Sequence, residues 1–312
     1  MSDRAVVREV GLRDGLQSLA QFVPTEVKKA WIDAEHAAGV REIEVSSLVP
    51  PNKLLPQFTD SEEVVRHALG RPGLTVAVLI PNLKGAERGM ALGAHKLNYV
   101  VSVSEAHNLA NVRRTTAESV ADFKRVLAAR NAAEPHRRPK ICCGLATAFG
   151  CTIQGRVDEE AVRRTAAEVA QAGADEITVA DTVGYAHPKA VARLFRAILA
   201  EVGELPVAAH FHDTRGLGLA NVHAALDAGV RAFDASLGGL GGCPYAPGAS
   251  GNIVTEDLAF MLEAMGFVTR VDLRKLLAVR EILARGIPEV GLLGNVPKAG
   301  LPKTFEPVPL GR

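Results

Sequence analysis

Ala38-Gly39-Val40-Arg41-Glu42-Ile43-Glu44-Val45 is the stretch on which the fold turns. A helical pattern ends on a glycine, a short turn follows, and a β-rich run begins. The passage returns as Ala172-Gly173-Ala174-Asp175-Glu176-Ile177-Thr178-Val179 and as Ala228-Gly229-Val230-Arg231-Ala232-Phe233-Asp234-Ala235. A looser copy is Leu92-Gly93-Ala94-His95-Lys96-Leu97-Asn98-Tyr99. One helix-to-strand junction is therefore used at least four times.

Outward from these junctions, strands read at residues 5–12, 42–47, 75–80, 97–102, 140–147, 176–181, 207–212 and 232–237. Helices read at 24–38, 61–69, 84–92, 117–130, 159–172, 188–202, 217–228 and 255–265. Eight βα units at a spacing of roughly 33 residues are what an α/β protein of the (β/α)8 TIM barrel type requires. An open doubly wound sheet rarely needs eight alternations. No Pro- or Gly-rich linker divides the chain, so one barrel is expected over residues 1–270. Residues 271–312 read as a C-terminal helical extension, with a helix at 272–285 and a proline-spaced tail at 297–309 packed on the barrel.

Composition narrows the function. A chain of 312 residues buries a large core without staples. Lys and Arg number 36 against 35 Asp and Glu, and a net charge of +1 removes the electrostatic case for a nucleic-acid partner. The longest apolar run, around residues 74–80, has strand length and excludes a membrane span. The first residues lack a signal peptide's apolar stretch, and the four cysteines form no CxxC pair. A cytoplasmic protein with free thiols is expected.

Active residues of such barrels lie at the C-terminal ends of strands. Strand 1 ends in Arg13-Asp14-Gly15, strand 2 carries Glu44, strand 6 ends in Asp181-Thr182, and strand 7 ends in His210-Phe211-His212-Asp213. Two imidazoles at i and i+2 on a strand share a face, roughly 6.6 Å apart along it. They can bind one metal ion, with Asp14 or Asn252 as an oxygen ligand from another strand. A mixed N/O donor set without thiolate suits Mg2+ or Mn2+ better than structural zinc. Beside a metal, Arg13 becomes a fixed cation for a developing oxyanion. Asp181 caps the following helix or holds a proton, and the residues leave both open. The glycine run at 238–242 reads as the hinge of a mobile loop that delivers Cys243 over the mouth.

These residues form a pattern. Gly11-Leu12-Arg13-Asp14-Gly15-Leu16-Gln17, Ile43-Glu44-Val45, Asp181-Thr182-Val183-Gly184 and His210-Phe211-His212-Asp213-Thr214 resemble the hydroxymethylglutaryl-CoA lyase family. So does Gly241-Gly242-Cys243-Pro244-Tyr245-Ala246, running on to Gly251-Asn252. The resemblance implies Asp14, His210, His212 and Asn252 as ligands of Mg2+ or Mn2+. It implies Arg13 on the enolate oxygen, Glu44 and Asp181 supporting the site, His210 assisting proton transfer and Cys243 on the active-site loop. Gln17, His107, Asn108 and Thr182 are the expected substrate-binding residues.

The implied reaction cleaves a 3-hydroxy-3-methylglutaryl-CoA-type thioester to acetyl-CoA and a 3-oxoacid, chemistry that belongs to leucine catabolism and ketone-body metabolism. The implied partners are an acyl-CoA substrate and further copies of the chain in a homo-oligomer. A lyase for a related 3-hydroxyacyl-CoA and an acyl-CoA-dependent condensing synthase are the alternatives. Two stretches depart from the family, Ser102-Val103-Ser104-Glu105-Ala106-His107-Asn108 and Gly150-Cys151-Thr152-Ile153-Gln154-Gly155. Both are expected at the mouth. There His107 and Asn108 would read the acyl tail and move preference away from the methylglutaryl ester.

Overall fold

The computed structural model describes residues 3–49, 55–242 and 251–309. Eight parallel strands close into a barrel in chain order. They are β1 (Val6–Glu9), β2 (Glu42–Ser47), β3 (Thr75–Ile80), β4 (Lys96–Ser102), β5 (Lys140–Ala146), β6 (Glu176–Asp181), β7 (Val207–Phe211) and β8 (Ala232–Ala235). The helices outside them are α1 (Thr25–Ala37), α2 (Ser61–Leu69), α3 (Leu83–Leu92), α4 (Glu105–Val112), α5 (Thr116–Ala132), α6 (Glu159–Gln171), α7 (Pro188–Val202), α8 (Gly218–Ala228) and α9 (Thr255–Ala264). The (β/α)8 expectation holds. The first and last strands are shorter than the pattern suggested. A π-helical turn, Gly11–Gly15, takes over after β1, and a 3-10 turn, Leu237–Gly239, follows β8.

Each strand faces apolar helices on one side and the barrel interior on the other. Phe211 meets Phe195 of α7 at 6.2 Å between ring centroids, so alternation turns its neighbour His210 inward. Ile43 and Val45 are buried on the helix side, leaving Glu42 and Glu44 for the interior. That interior departs from the aliphatic layers usual in such barrels. Arg8 donates two bonds to Glu176 at 2.7 and 2.6 Å, and Lys96 joins Glu42 at 2.7 Å to Glu176 at 2.8 Å. Burial would raise the Glu176 pKa, but the charges of Arg8 and Lys96 bring it down to about 2.

Beyond the barrel, α10 (Leu273–Gly286) packs on α1, and the short α11 (Val296–Ala299) is held by the Asp257 carboxylate, which accepts from the backbone of Asn295 and Val296. The tail ties back through Val308 N–H to Glu263 at 2.8 Å. No helix among the described residues is long and apolar enough to cross a membrane.

Glu9 is fully buried where β1 ends and knits three segments together. It accepts from Gly11 N–H at 2.7 Å, Leu237 N–H at 3.0 Å and the Thr255 hydroxyl at 2.7 Å. Burial pushes its carboxyl up to about 7, and the buried Glu35 of α1 is raised well above the usual range by burial and the Glu9 charge. A carboxyl raised on folding lends stability below its unfolded pKa and loses it as pH rises through the folded value. Glu35→Gln keeps the shape of the side chain but cannot ionise. Thermal melts should show the melting temperature of Glu35→Gln gaining on the parent by about 3 °C or more between pH 5 and pH 8. Parallel curves would mean that Glu35 is already ionised in the fold.

Candidate metal and active site

Arg13 and Asp14 sit on the π-helical turn rather than on the strand end. The Val10 carbonyl accepts from Arg13, Asp14 and Gly15 N–H at 3.1, 2.7 and 3.4 Å. Such wide turns re-aim side chains at functional sites. Gly11 is required there, because a Cβ would stand 2.5 Å from the Glu9 carboxylate and 2.7 Å from Trp31.

The turn brings Asp14 against the two histidines. The Nε2 atoms of His210 and His212 lie 3.1 Å apart, and Asp14 Oδ2 lies 3.9 and 3.5 Å from them. These three residues form a group that could hold a metal ion. Donors in adjacent positions of an octahedral ion at about 2.1 Å stand about 3 Å apart, close to these separations. Asn252 enters because its backbone bridges His212, just past β7. Its Nδ2 donates to Asp14 Oδ2 at 2.7 Å and to the Leu240 carbonyl at 3.1 Å. Its Oδ1 is buried and has no hydrogen-bond partner among the described residues. A buried oxygen left open beside a carboxylate and two imidazoles fits a cation. Gly241, at φ +127°, permits this approach, since a Cβ there would meet Asn252 Nδ2 at 2.6 Å.

Electrostatics agree. Burial alone would raise the Asp14 pKa; the Arg13 charge, a hydrogen bond from His212 and both imidazoles hold it well below the usual carboxylate range. Arg13 donates from Nε to Glu44 at 2.5 Å and from Nη1 to Asp14 at 2.6 Å, and Asn98 Nδ2 steadies Glu44 at 2.8 Å. Contacts then run through His210 and Asp234 to Arg8 and its partners below. Three cations (Arg8, Arg13, Lys96) thus face five carboxylates (Asp14, Glu42, Glu44, Glu176, Asp234). With neutral imidazoles, that connected group carries a formal charge of −2, the complement of one divalent ion.

Other expected residues fall elsewhere. Asn108 does not face the mouth as a free donor. Its Oδ1 accepts from Ser102 N–H, and its Nδ2 donates to Arg114 O, Thr115 O and the Ser119 hydroxyl. The cause is α4, which the sequence reading passed over: Ser104 caps it, accepting from His107 N–H at 3.2 Å, and residues 107 and 108 turn inward. His107 is buried, with Nδ1 at 2.8 Å from the Ser102 hydroxyl. Asn108 is thus committed to bonds within the chain, and His107 lies buried beside Ser102.

Asp181 caps the loop after β6, with its two oxygens accepting from Tyr185 and Ala186 N–H at 2.8 and 3.0 Å. The Thr182 hydroxyl accepts from Thr147 N–H at 2.8 Å, and Gln17 is half-buried just past the π-helical turn. Cys151 closes a small turn, its Sγ accepting from Ile153 and Gln154 N–H. The exposed residues 152–154 belong to that turn. Cys243 lies outside the described residues. The sequence reading also missed Asn98 and Asp234, whose one signal was a polar residue at a strand position that register turns inward.

Fold and site together define a (β/α)8 barrel that carries a candidate metal centre at the C-terminal end of its strands. Residues 5–283 match the model of the HMGL-like family, and the chain belongs to that family. It is 39% identical to a hydroxymethylglutaryl-CoA lyase of Pseudomonas mevalonii, over 95% of each chain. It is 38% identical to one of Bacillus subtilis, over 93% of this chain and 96% of that one. A solved HMG-CoA lyase from Acinetobacter baumannii, in complex with coenzyme A and 3-methylmalate, superposes with a TM-score of 0.91. It is 40% identical, with 99% of both chains covered.

Proposed function

We propose that this protein is a carbon–carbon lyase that cleaves 3-hydroxy-3-methylglutaryl-CoA to acetyl-CoA and acetoacetate. The observation that carries the reading is the open Oδ1 of Asn252 beside Asp14, His210 and His212, one ion pair away from Arg13. Asp14, His210, His212 and Asn252 would hold a divalent ion, Mg2+ or Mn2+ by the character of the donors. When bound, it lowers the pKa of the substrate's tertiary hydroxyl by drawing on its oxygen.

The hydroxyl proton leaves, the C2–C3 bond breaks, C3 becomes the ketone of acetoacetate, and the electron pair passes into a thioester enolate. A proton at C2 then completes acetyl-CoA. Arg13, fixed by Glu44 and Asp14, lies beside that charge as it develops and is a preorganised cation for it. His210 turns Nδ1 toward Asp234, which leaves Nε2 as the nitrogen facing Asp14 and His212. A metal-loaded sample incubated with a panel of 3-hydroxyacyl-CoA esters tests the assignment. Acetyl-CoA should form from the methylglutaryl ester; product only from another ester would move the substrate, and none from any would refute the activity.

A further inference from the structure

Asp234 takes no part in the steps above, yet it lies in register between two of the charged groups. On β8 it pairs with Arg8 of β1 on one side and His210 of β7 on the other. Paired residues of neighbouring strands project to one face, so the three side chains make a row across the barrel interior. Asp234 Oδ2 stands 3.2 Å from His210 Nδ1, and Oδ1 stands 3.8 Å from Arg8 Nη1. Arg8 is itself locked by its two bonds to Glu176.

An ionised carboxylate only accepts, so the contact requires a proton on Nδ1. A neutral ring then has its lone pair on Nε2, the nitrogen that faces His212 and Asp14. His212 differs: its Nδ1 is buried with no hydrogen-bond partner among the described residues. One of the two rings is anchored and the other is not.

We propose that Asp234 is a positioning residue. It holds His210 in the Nδ1–H form and aims Nε2 as a metal ligand, while Arg8 keeps Asp234 in place. The inference rests on the reading of His210 as a ligand. Carboxylates that orient a metal-binding histidine are worth about 10- to 100-fold in metal affinity.

Two measurements on the full chain test it. In the first, chelated protein is titrated with Mn2+ and the free ion is followed by electron paramagnetic resonance. Asp234→Ala should bind Mn2+ about 10-fold or more weakly, and Asp234→Asn, which keeps an acceptor oxygen without the charge, should fall between. In the second, nitrogen-15 NMR of histidine-labelled, metal-free protein is recorded at a pH well above the histidine range. His210, assigned by the resonance lost in His210→Gln, should carry its proton on Nδ1 and become a tautomer mixture in Asp234→Ala. A role confined to neutralising Arg8 would move neither readout. Unchanged Mn2+ affinity in the folded variants, or a parent His210 protonated on Nε2, overturns the proposal. Should Asp234→Ala not fold, Asp234→Asn alone decides: Mn2+ affinity equal to the parent's overturns it. If the unsubstituted protein takes up no Mn2+, the ligand reading fails, and the tautomer still shows whether Asp234 orients the ring.

Discussion

Arg13→Met is expected to lower kcat about a thousandfold while KM changes by less than about tenfold. The guanidinium is already spoken for in the resting protein, with Nε on Glu44 and Nη1 on Asp14. It is therefore aligned before substrate arrives, which is what a group acting on transient charge requires. The enolate exists only along the reaction path, so its loss should appear in kcat. Arg13→Lys should recover little, because an ammonium cannot reproduce a planar fork held by two carboxylates. Steady-state kinetics of both variants check this. A rise in KM alone would make Arg13 a ground-state binding residue.

His212→Ala is expected to weaken Mn2+ binding more than about a hundredfold and to leave the barrel folded. Nε2 of His212 is one of three donors that converge. Its Nδ1 has no hydrogen-bond partner among the described residues, so truncation strands nothing on that side. The main-chain bridge from residue 212 to Asn252 does not depend on the imidazole. A Mn2+ titration with a thermal melt of the metal-free protein separates the two effects. Lost binding with an unchanged melt identifies a ligand; a lowered melt would identify a packing role.

The barrel was legible because its signal is local and repeated. Glycine-capped junctions such as Ala38-Gly39 and Ala228-Gly229 mark where helices stop, and Glu42–Ser47, Thr75–Ile80 and Glu176–Asp181 emerge at the expected bounds. Arg13, Asp14, His210 and His212 were legible for a related reason: charged and imidazole groups at strand ends have few roles inside a core. The π-helical turn under Arg13 was not, since it is set by backbone bonds to Val10 that no side-chain pattern announces. The helix α4, which carries His107 and Asn108, was missed because eight residues have too little periodicity to outweigh a loop reading, although Ser104 is an ordinary cap. Arg8 and Asp234 were passed over for a subtler cause. A single charge in a short strand suits either face, and only the pairing of β1, β8 and β7 settles which.

The most direct test of the whole account is acetyl-CoA formation from 3-hydroxy-3-methylglutaryl-CoA by protein stripped with a chelator and then returned to Mg2+ or Mn2+. The stripped protein should form none, and either ion should restore turnover, because one divalent cation completes the charge and the donor set at Asp14, His210, His212 and Asn252. Full turnover after exhaustive chelation, or no acetyl-CoA from the reloaded protein, would contradict it.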